Sequence, residues 1–207
     1  MKRILCFGDS NTWGYAPDSG GVPRLPDSVR WTGRLQQELG NSCKILEFGL
    51  CGCEAGGKGK LMTFNSDART IYPPVLFASL PVDVVIIMLG TNDIKTVNEW
   101  KHGNTAAGLR LLIGATRSLC SAKIVLASSV LLDERVLSIA DFPSSAVADS
   151  ALCAEEIEEL SRSEGVLFFD TNEFVKERAE DGCHFTAASH AAFADGMAAF
   201  LRSQGLV

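Results

Sequence analysis

The segment PVDVVIIMLG, residues 81–90, decides the fold of this 207-residue chain. It is apolar and rich in β-branched residues, and its hydrophobic side chains occupy consecutive rather than alternate positions. A strand that is buried on both faces has this pattern, and such strands lie in parallel sheets that helices cover on both sides. The segment therefore predicts the central strand of an α/β domain.

Four shorter apolar segments and four segments with helical periodicity alternate around this strand. The predicted strands are 3–7, 43–48, 81–90, 123–129 and 166–170, and the predicted helices are 27–40, 104–120, 148–165 and 186–205. Asp27 or Ser28 is expected to cap the first helix, and Gly40 to end it. The alternation predicts an α/β fold, a three-layer α/β/α sandwich with a five-stranded parallel sheet, in a single domain of residues 1–207.

The composition argues against several classes of function. Binding to nucleic acid requires a basic face, whereas the net charge is -6. The apolar runs are too short to span a membrane, and the run behind the basic residues 2–3 is too short for a secretory signal. The seven cysteines form no regular disulfide framework, which is typical of free thiols in a reducing compartment. We therefore expect a cytoplasmic protein with no nucleic-acid or membrane partner.

Small and polar residues follow the predicted strands, at the edge of the sheet where ligands of open α/β proteins bind. They include a hydroxyl, a glycine N–H, a side-chain amide, a carboxylate and an imidazole, from Ser10, Gly52, Asn92, Asp181 and His184. Acyl transfer uses these groups, because a serine hydroxyl attacks only after a base such as histidine takes its proton. A carboxylate orients the histidine, and N–H donors stabilise the oxyanion.

Three histidines are candidates for the base. His102 lies in a polar segment and is expected to be solvated, and His190 is expected to be partly exposed on the last helix. His184 follows Asp181 by three residues, and Gly182 permits the turn that brings the carboxylate to the imidazole Nδ1. His184 is therefore the preferred base.

Four blocks in this order resemble the SGNH hydrolases, also called GDSL-type esterases: FGDSNTWG, EFGLCGC, MLGTNDIK and DGCHFT, which together span residues 7–186. The resemblance implies a flavodoxin-like fold in which Ser10 is the nucleophile, His184 the base and Asp181 its orienting acid. It also implies an oxyanion hole made of the N–H groups of Ser10 and Gly52 and the side chain of Asn92. No metal or organic cofactor is implied.

Within this family the chain looks closest to the arylesterase and acyltransferase branch. That likeness implies a serine esterase for small acetyl or aryl esters, with an acyl-enzyme that some members transfer to other acceptors. Tyr15 and Cys183 would line the acyl or alcohol site, and Asn11 is a further substrate-binding candidate. Carbohydrate and lysophospholipid deacylases would use the same groups, and the irregular segments 53–72 and 130–147 would decide among these substrates. Whether the chain forms a homo-oligomer stays open.

Other interpretations compete with this one. Ser10 alone fits a helix N-cap, Asp9 fits a brace for the turn, and Cys51 with Cys53 lacks the second pair of a zinc site. Residues 52–59, GCEAGGKG, fit the G-x-x-x-x-G-K of a phosphate-binding loop, but Gly59 stands where Ser or Thr should ligate Mg²⁺. A non-enzymatic α/β binding domain would leave the combination of polar groups unexplained. An α/β-hydrolase is disfavoured because no G-x-S-x-G elbow is present.

Overall fold

The computed structural model describes residues 1–17 and 23–207, and in them five strands form one parallel sheet. The strands are β1 Lys2–Gly8, β2 Cys43–Gly49, β3 Val84–Met88, β4 Lys123–Ala127 and β5 Leu167–Phe169. Their order is β2-β1-β3-β4-β5. All five residues of β3 are buried, so the predicted central strand is confirmed.

Helices cover both faces of the sheet. They are α1 Ser10–Trp13, α2 Trp31–Leu39, α3 Ala68–Ser79, α4 Asn104–Leu119, α5 Ala146–Glu164, α6 Thr171–Phe174 and α7 Ala187–Ser203. From β1 the chain moves to one edge of the sheet, where β2 lies, and from β2 it moves across the sheet to β5 at the other edge. Because crossover connections are right-handed, this reversal of direction places α2 on one face and α3–α5 on the other. Accordingly α2 packs against α7, while α4 packs against both α3 and α5. The predicted three-layer α/β/α arrangement is confirmed.

The first predicted helix begins later than the sequence indicates. Residues 27–30 form a turn in which the Val29 and Arg30 N–H groups donate to Pro26 O, so neither Asp27 nor Ser28 caps α2. The prediction of that cap was wrong because the turn that precedes the helix satisfies the backbone instead. Gly40 does follow the last residue of α2, as predicted.

Helix α3 was missed in a segment predicted to be irregular. It begins inside residues 53–72, and it contains Pro73 and Pro74. Proline in a helix interior removes a donor and disfavours the helix, so local propensity argues against this element. The side chain of Asp67 caps α3 by accepting from the Arg69 N–H, and Tyr72 and Leu76 are completely buried. Burial in the core therefore outweighs propensity here.

The reversal of strand order between β1 and β3 forms a crevice at the carboxyl edge of the sheet. Gly8 at the end of β1 pairs with Gly49 of β2 and with Met88 of β3. The segments that leave these three strands therefore start side by side. In proteins with this topology, ligands bind in the crevice at such a switch point. Ser10, Gly52 and Asn92 follow these three strands, whereas Asp181 and His184 follow β5.

Candidate active site

Ser10 is the first residue of the short helix α1, directly behind β1. Asp9 precedes it and caps α1, with its carboxylate accepting from the Asn11 N–H at 2.9 Å. The cap is therefore supplied by Asp9, which braces the turn as predicted, and the hydroxyl of Ser10 is left for another partner. Ser10 Oγ lies 2.8 Å from His184 Nε2.

His184 joins Ser10 to Asp181. Its Nδ1 lies 2.5 Å from Asp181 Oδ2, while Asp181 Oδ1 accepts from the backbone N–H groups of Cys183 and His184 at 3.1 and 3.0 Å. Gly182 makes this turn at a φ of 74°, which glycine adopts without strain. Burial raises the pKa of Asp181, but its hydrogen bond to His184, the charge of His184 and the two N–H donors outweigh burial and hold that pKa below its usual range. The carboxylate is therefore ionised and can stabilise an imidazolium.

Asn11 does not line the cavity at this site. Its Nδ2 donates to Cys183 O at 3.2 Å, and its Oδ1 accepts from the Phe185 N–H at 2.9 Å. The side chain is 3 % exposed, so both ends of the amide serve the backbone on either side of His184. The structure thus places Asn11, the substrate-binding candidate from sequence, where its amide fixes the His184 loop to α1.

Gly52 lies in a tight turn behind β2. The Cys53 N–H donates to Leu50 O at 3.0 Å, and Gly52 takes a φ of 76° at the third position of this turn. A turn of this kind needs a positive φ at that position, which explains the glycine. Within residues 1–17 and 23–207, the N–H groups of Ser10 and Gly52 donate to no protein atom. Both are free to face a ligand.

Asn92 follows β3 and lies 4 % exposed. Its Nδ2 donates to Cys53 O at 3.1 Å, and this hydrogen bond orients the amide. The second N–H of the same nitrogen is left to donate to a ligand. The neighbouring Asp93 accepts from the N–H groups of Ala55 and Gly56 at 2.8 and 3.0 Å. Burial raises the pKa of Asp93 to about 7 against these hydrogen bonds. The segment that follows β3 in the chain therefore holds the segment that follows β2 in place.

These contacts show that the phosphate-loop alternative for residues 52–59 is wrong. The backbone N–H groups that would hold phosphate already donate to protein: those of Ala55 and Gly56 to Asp93, and those of Lys58 and Gly59 to Asn98 and Glu54. The helix that such a loop requires directly behind it is also missing, since α3 begins only at Ala68.

A cavity of about 430 Å³ opens above Ser10 and His184. Its lining comes from the segments that follow each of the five strands. The remaining lining residues are Tyr15, Pro17, Cys51, Gly52, Met62, Thr91, Asn92, Lys95, Ile139, Phe142, Asp181 and Cys183. The ring of Tyr15 lies 4.6 Å from that of His184. Tyr15 and Cys183 thus line the cavity, where the sequence analysis placed them.

Sequence reasoning missed several lining residues. Thr91 and Lys95 lie inside the quoted MLGTNDIK block, but their side chains carry no pattern that separates cavity wall from turn. Ile139 and Phe142 come from the segment 130–147, which was predicted only to shape the substrate site. Its backbone path through a 3₁₀ turn at Glu134–Ser138 has no sequence signal comparable to a strand or helix.

The other two histidines differ in their outcome. His102 is exposed, as predicted. His190 was predicted to be partly exposed but is completely buried, where its Nδ1 accepts from the Trp31 N–H at 3.2 Å. Burial, together with the charges of Arg30 and His184, lowers the pKa of His190 to about 3. It is a neutral core residue between α2 and α7.

One group of potential metal ligands exists in the described part of the chain, namely Asp181, Cys183 and His184, whose ligand atoms lie within 4.8 Å of one another. Two ligands of a tetrahedral zinc ion are about 3.3 Å apart. The 2.5 Å between His184 Nδ1 and Asp181 Oδ2 is too short for that and fits a hydrogen bond instead. The geometry therefore favours proton transfer over metal binding.

Asp9 yields a prediction about stability, since burial raises its pKa to about 6 against the hydrogen bonds and charges that lower it. A carboxyl whose pKa is raised on folding stabilises the protein below the unfolded pKa near 4 and loses that contribution as pH rises through 6. We expect Asp9→Asn to gain about 2 kcal/mol of unfolding free energy relative to wild type between pH 4 and pH 7.5. Urea unfolding at both pH values measures this, and parallel pH curves for the two proteins would contradict it.

The comparisons with known proteins agree with this geometry. Residues 6–192 match the model of the GDSL-like lipase/acylhydrolase family. Because this match covers most of the chain, the protein belongs to that family. No curated protein sequence matches the chain significantly. In the described residues, no helix has the length and apolar character needed to cross a bilayer.

Two solved structures are similar over almost their whole length. An inhibitor-bound M. smegmatis aryl esterase is 30% identical, with a TM-score of 0.88 and coverage of 98% of this chain and 99% of that one. A carbohydrate acetylesterase from Sinorhizobium meliloti is 26% identical, with a TM-score of 0.88 and coverage of 99% and 100%. Family membership and these neighbours make the protein a carboxylic ester hydrolase.

Proposed function

We propose that the protein is a serine esterase that hydrolyses small acetyl or aryl esters through an acyl-enzyme on Ser10. The observation that carries this proposal is the hydrogen-bonded chain from Ser10 Oγ through His184 to Asp181, with separations of 2.8 and 2.5 Å. His184 takes the hydroxyl proton as Ser10 attacks the ester carbonyl, and Asp181 stabilises the imidazolium. His184 then protonates the leaving alcohol, and water completes hydrolysis.

The oxyanion would be held by the Ser10 and Gly52 N–H groups and the Asn92 amide. Two of these donors are unengaged backbone groups, and the third is oriented by Cys53 O. Donors fixed in advance stabilise the charge that develops on the carbonyl oxygen at no cost of reorganisation. Each step of this mechanism uses groups that the chain itself supplies.

Asn92→Ala tests the oxyanion hole. Because the amide acts on the transition state more than on the bound ester, kcat should fall about 100- to 1,000-fold while KM changes little. Steady-state kinetics with 4-nitrophenyl acetate measure both constants, with Asn65→Ala on the exposed surface as the matched control. A loss confined to KM, or no loss, would remove Asn92 from the hole.

The substrate class follows from the size of the cavity and from the neighbours. A volume of about 430 Å³ fits a small ester, and the lining is mainly apolar beside the polar reacting groups. The aryl esterase neighbour favours aryl or alkyl acetates, and the carbohydrate acetylesterase neighbour favours acetylated sugars as a second candidate. Alcohols that enter the same cavity would accept the acyl group in place of water.

Hydrolysis of 4-nitrophenyl esters with two to eight acyl carbons, in the presence of a chelator, tests this function. The proposal predicts turnover of the acetate, with kcat/KM falling as the acyl chain outgrows the cavity. Release of acetate from acetylated sugars would indicate a carbohydrate acetylesterase. Formation of a new ester when an alcohol is added would indicate acyl transfer. If the protein hydrolyses none of these esters, the proposal is overturned.

A further inference from the structure

Lys95 contributes an amine to the lining of the cavity above Ser10 and His184. Among the described residues that line the cavity, it is the single lysine or arginine. Its Nζ lies 5.4 Å from the centre of the Phe142 ring and 3.6 Å from Asp141 Oδ2. The side chain is 21% exposed, so its charge is partly shielded from solvent.

The pairing with Asp141 leaves Lys95 available to a ligand. The separation of 3.6 Å is long for a hydrogen bond, and the Asp141 side chain is 66% exposed. Ion pairs with an exposed partner contribute little to stability, and an incoming anion can replace such a partner. The Thr96 N–H also donates to Asp141 O at 2.8 Å, so the backbone that carries both side chains is held independently of the ion pair.

The positive charge of Lys95 also acts on groups inside the site. Burial raises the pKa values of both Asp9 and Cys183, and the charge of Lys95 acts to lower them. These two residues directly precede Ser10 and His184 in the chain. Asp181, the one carboxylate among the described lining residues, is engaged by His184 and by two backbone N–H groups. An anion near Ser10 would therefore meet one cation that is not fully neutralised.

We propose that Lys95 binds a carboxylate carried by the substrate, so that the preferred substrates are small esters with a negative charge. This inference rests on the proposed esterase function and adds the class of its substrate. An ammonium held over an aromatic ring can donate to a carboxylate that comes within hydrogen-bond distance, and charge-assisted hydrogen bonds are about twice as strong as neutral ones. The carboxylate could lie on the alcohol side or on the acyl side of the ester.

Two matched pairs of esters distinguish these sides. On the alcohol side, 4-acetoxybenzoate is compared with 4-acetoxybenzamide, which has the same shape without the charge. On the acyl side, the 4-nitrophenyl ester of 4-carboxybenzoic acid is compared with that of 4-carbamoylbenzoic acid. The quantity measured is the ratio of kcat/KM for the charged ester to kcat/KM for the neutral one.

In one of the pairs we expect Lys95→Met to lower this ratio about 10-fold, the size of one charge-assisted hydrogen bond. Lys95→Arg should keep most of the ratio. Asp141→Asn should raise it, because the competing carboxylate is gone. Lys123→Met is the matched control, since it removes an equal charge from the exposed start of β4, at the opposite edge of the sheet.

The outcomes separate this inference from the function on which it rests. If neutral esters are hydrolysed through Ser10 but the ratio is the same in wild type and Lys95→Met, the inference is wrong and the esterase function stands. An equal fall in Lys123→Met would also overturn it, because the effect would then be one of net charge. If wild type hydrolyses none of the four esters or 4-nitrophenyl acetate, both proposals fail.

Discussion

Ser10→Ala is expected to lower kcat for 4-nitrophenyl acetate by a factor on the order of 10⁴ to 10⁶. The oxygen removed is the atom that would form the acyl-enzyme, and His184 Nε2 lies 2.8 Å from it. The two thiols that line the cavity, Cys51 and Cys183, are poor substitutes, because burial raises the pKa of both and that of Cys51 to about 11. Turnover by purified wild type and variant, measured at equal protein concentration, gives the ratio directly.

The control for this variant is Ser203→Ala, which removes the same hydroxyl at the far end of α7. It should retain wild-type activity, and both variants should unfold at nearly the wild-type temperature. A Ser10→Ala protein that keeps more than a tenth of wild-type kcat would contradict the nucleophile assignment.

Asp181→Asn is expected to lower kcat about 10⁴-fold, close to the effect of the corresponding change in serine proteases. The amide oxygen can still accept from the Cys183 and His184 N–H groups, so the loop should keep its shape. The amide nitrogen would then face His184 Nδ1 and stabilise the tautomer that carries its proton on Nε2. That tautomer cannot accept the proton of Ser10.

Kinetics over pH 6–9 measure this loss, with Asp195→Asn on the exposed face of α7 as the control for the change in charge. The control should behave as wild type. A fall of less than 10-fold in Asp181→Asn would show that the carboxylate is not needed to orient His184, and Asp181 would be left with a purely structural role.

The strands were predictable because their pattern is local. Consecutive apolar residues in the segment of β3 already require burial on both faces, and the observed strand lies inside the predicted one. Helix α3 was not predictable in the same way, since Pro73 and Pro74 oppose it and only the burial of residues such as Tyr72 favours it. Tertiary packing decides such elements, and it leaves no periodic signal.

In the candidate site too, some features were predictable from sequence and others depended on tertiary packing. Ser10, Gly52 and Asn92 follow strands, so the topology alone predicts that they meet, and Asp181 with His184 completes a pattern of chemical types. The contacts of the Asn11 amide were not predictable, because its position beside Ser10 says nothing about the direction of its side chain. His190 was misjudged because helical spacing does not reveal that α2 covers it. The direction of a side chain depends on the elements that pack around it, and the sequence pattern does not show that packing.

The most direct test of the central claim is the mass of the protein quenched in acid during turnover of 4-nitrophenyl acetate. We expect a fraction of the protein to be heavier by one acetyl group, which peptide fragmentation should locate on Ser10 and which should be absent from Ser10→Ala. An acetyl group found on Cys51 or Cys183 instead, or turnover that continues unchanged in Ser10→Ala, would contradict it.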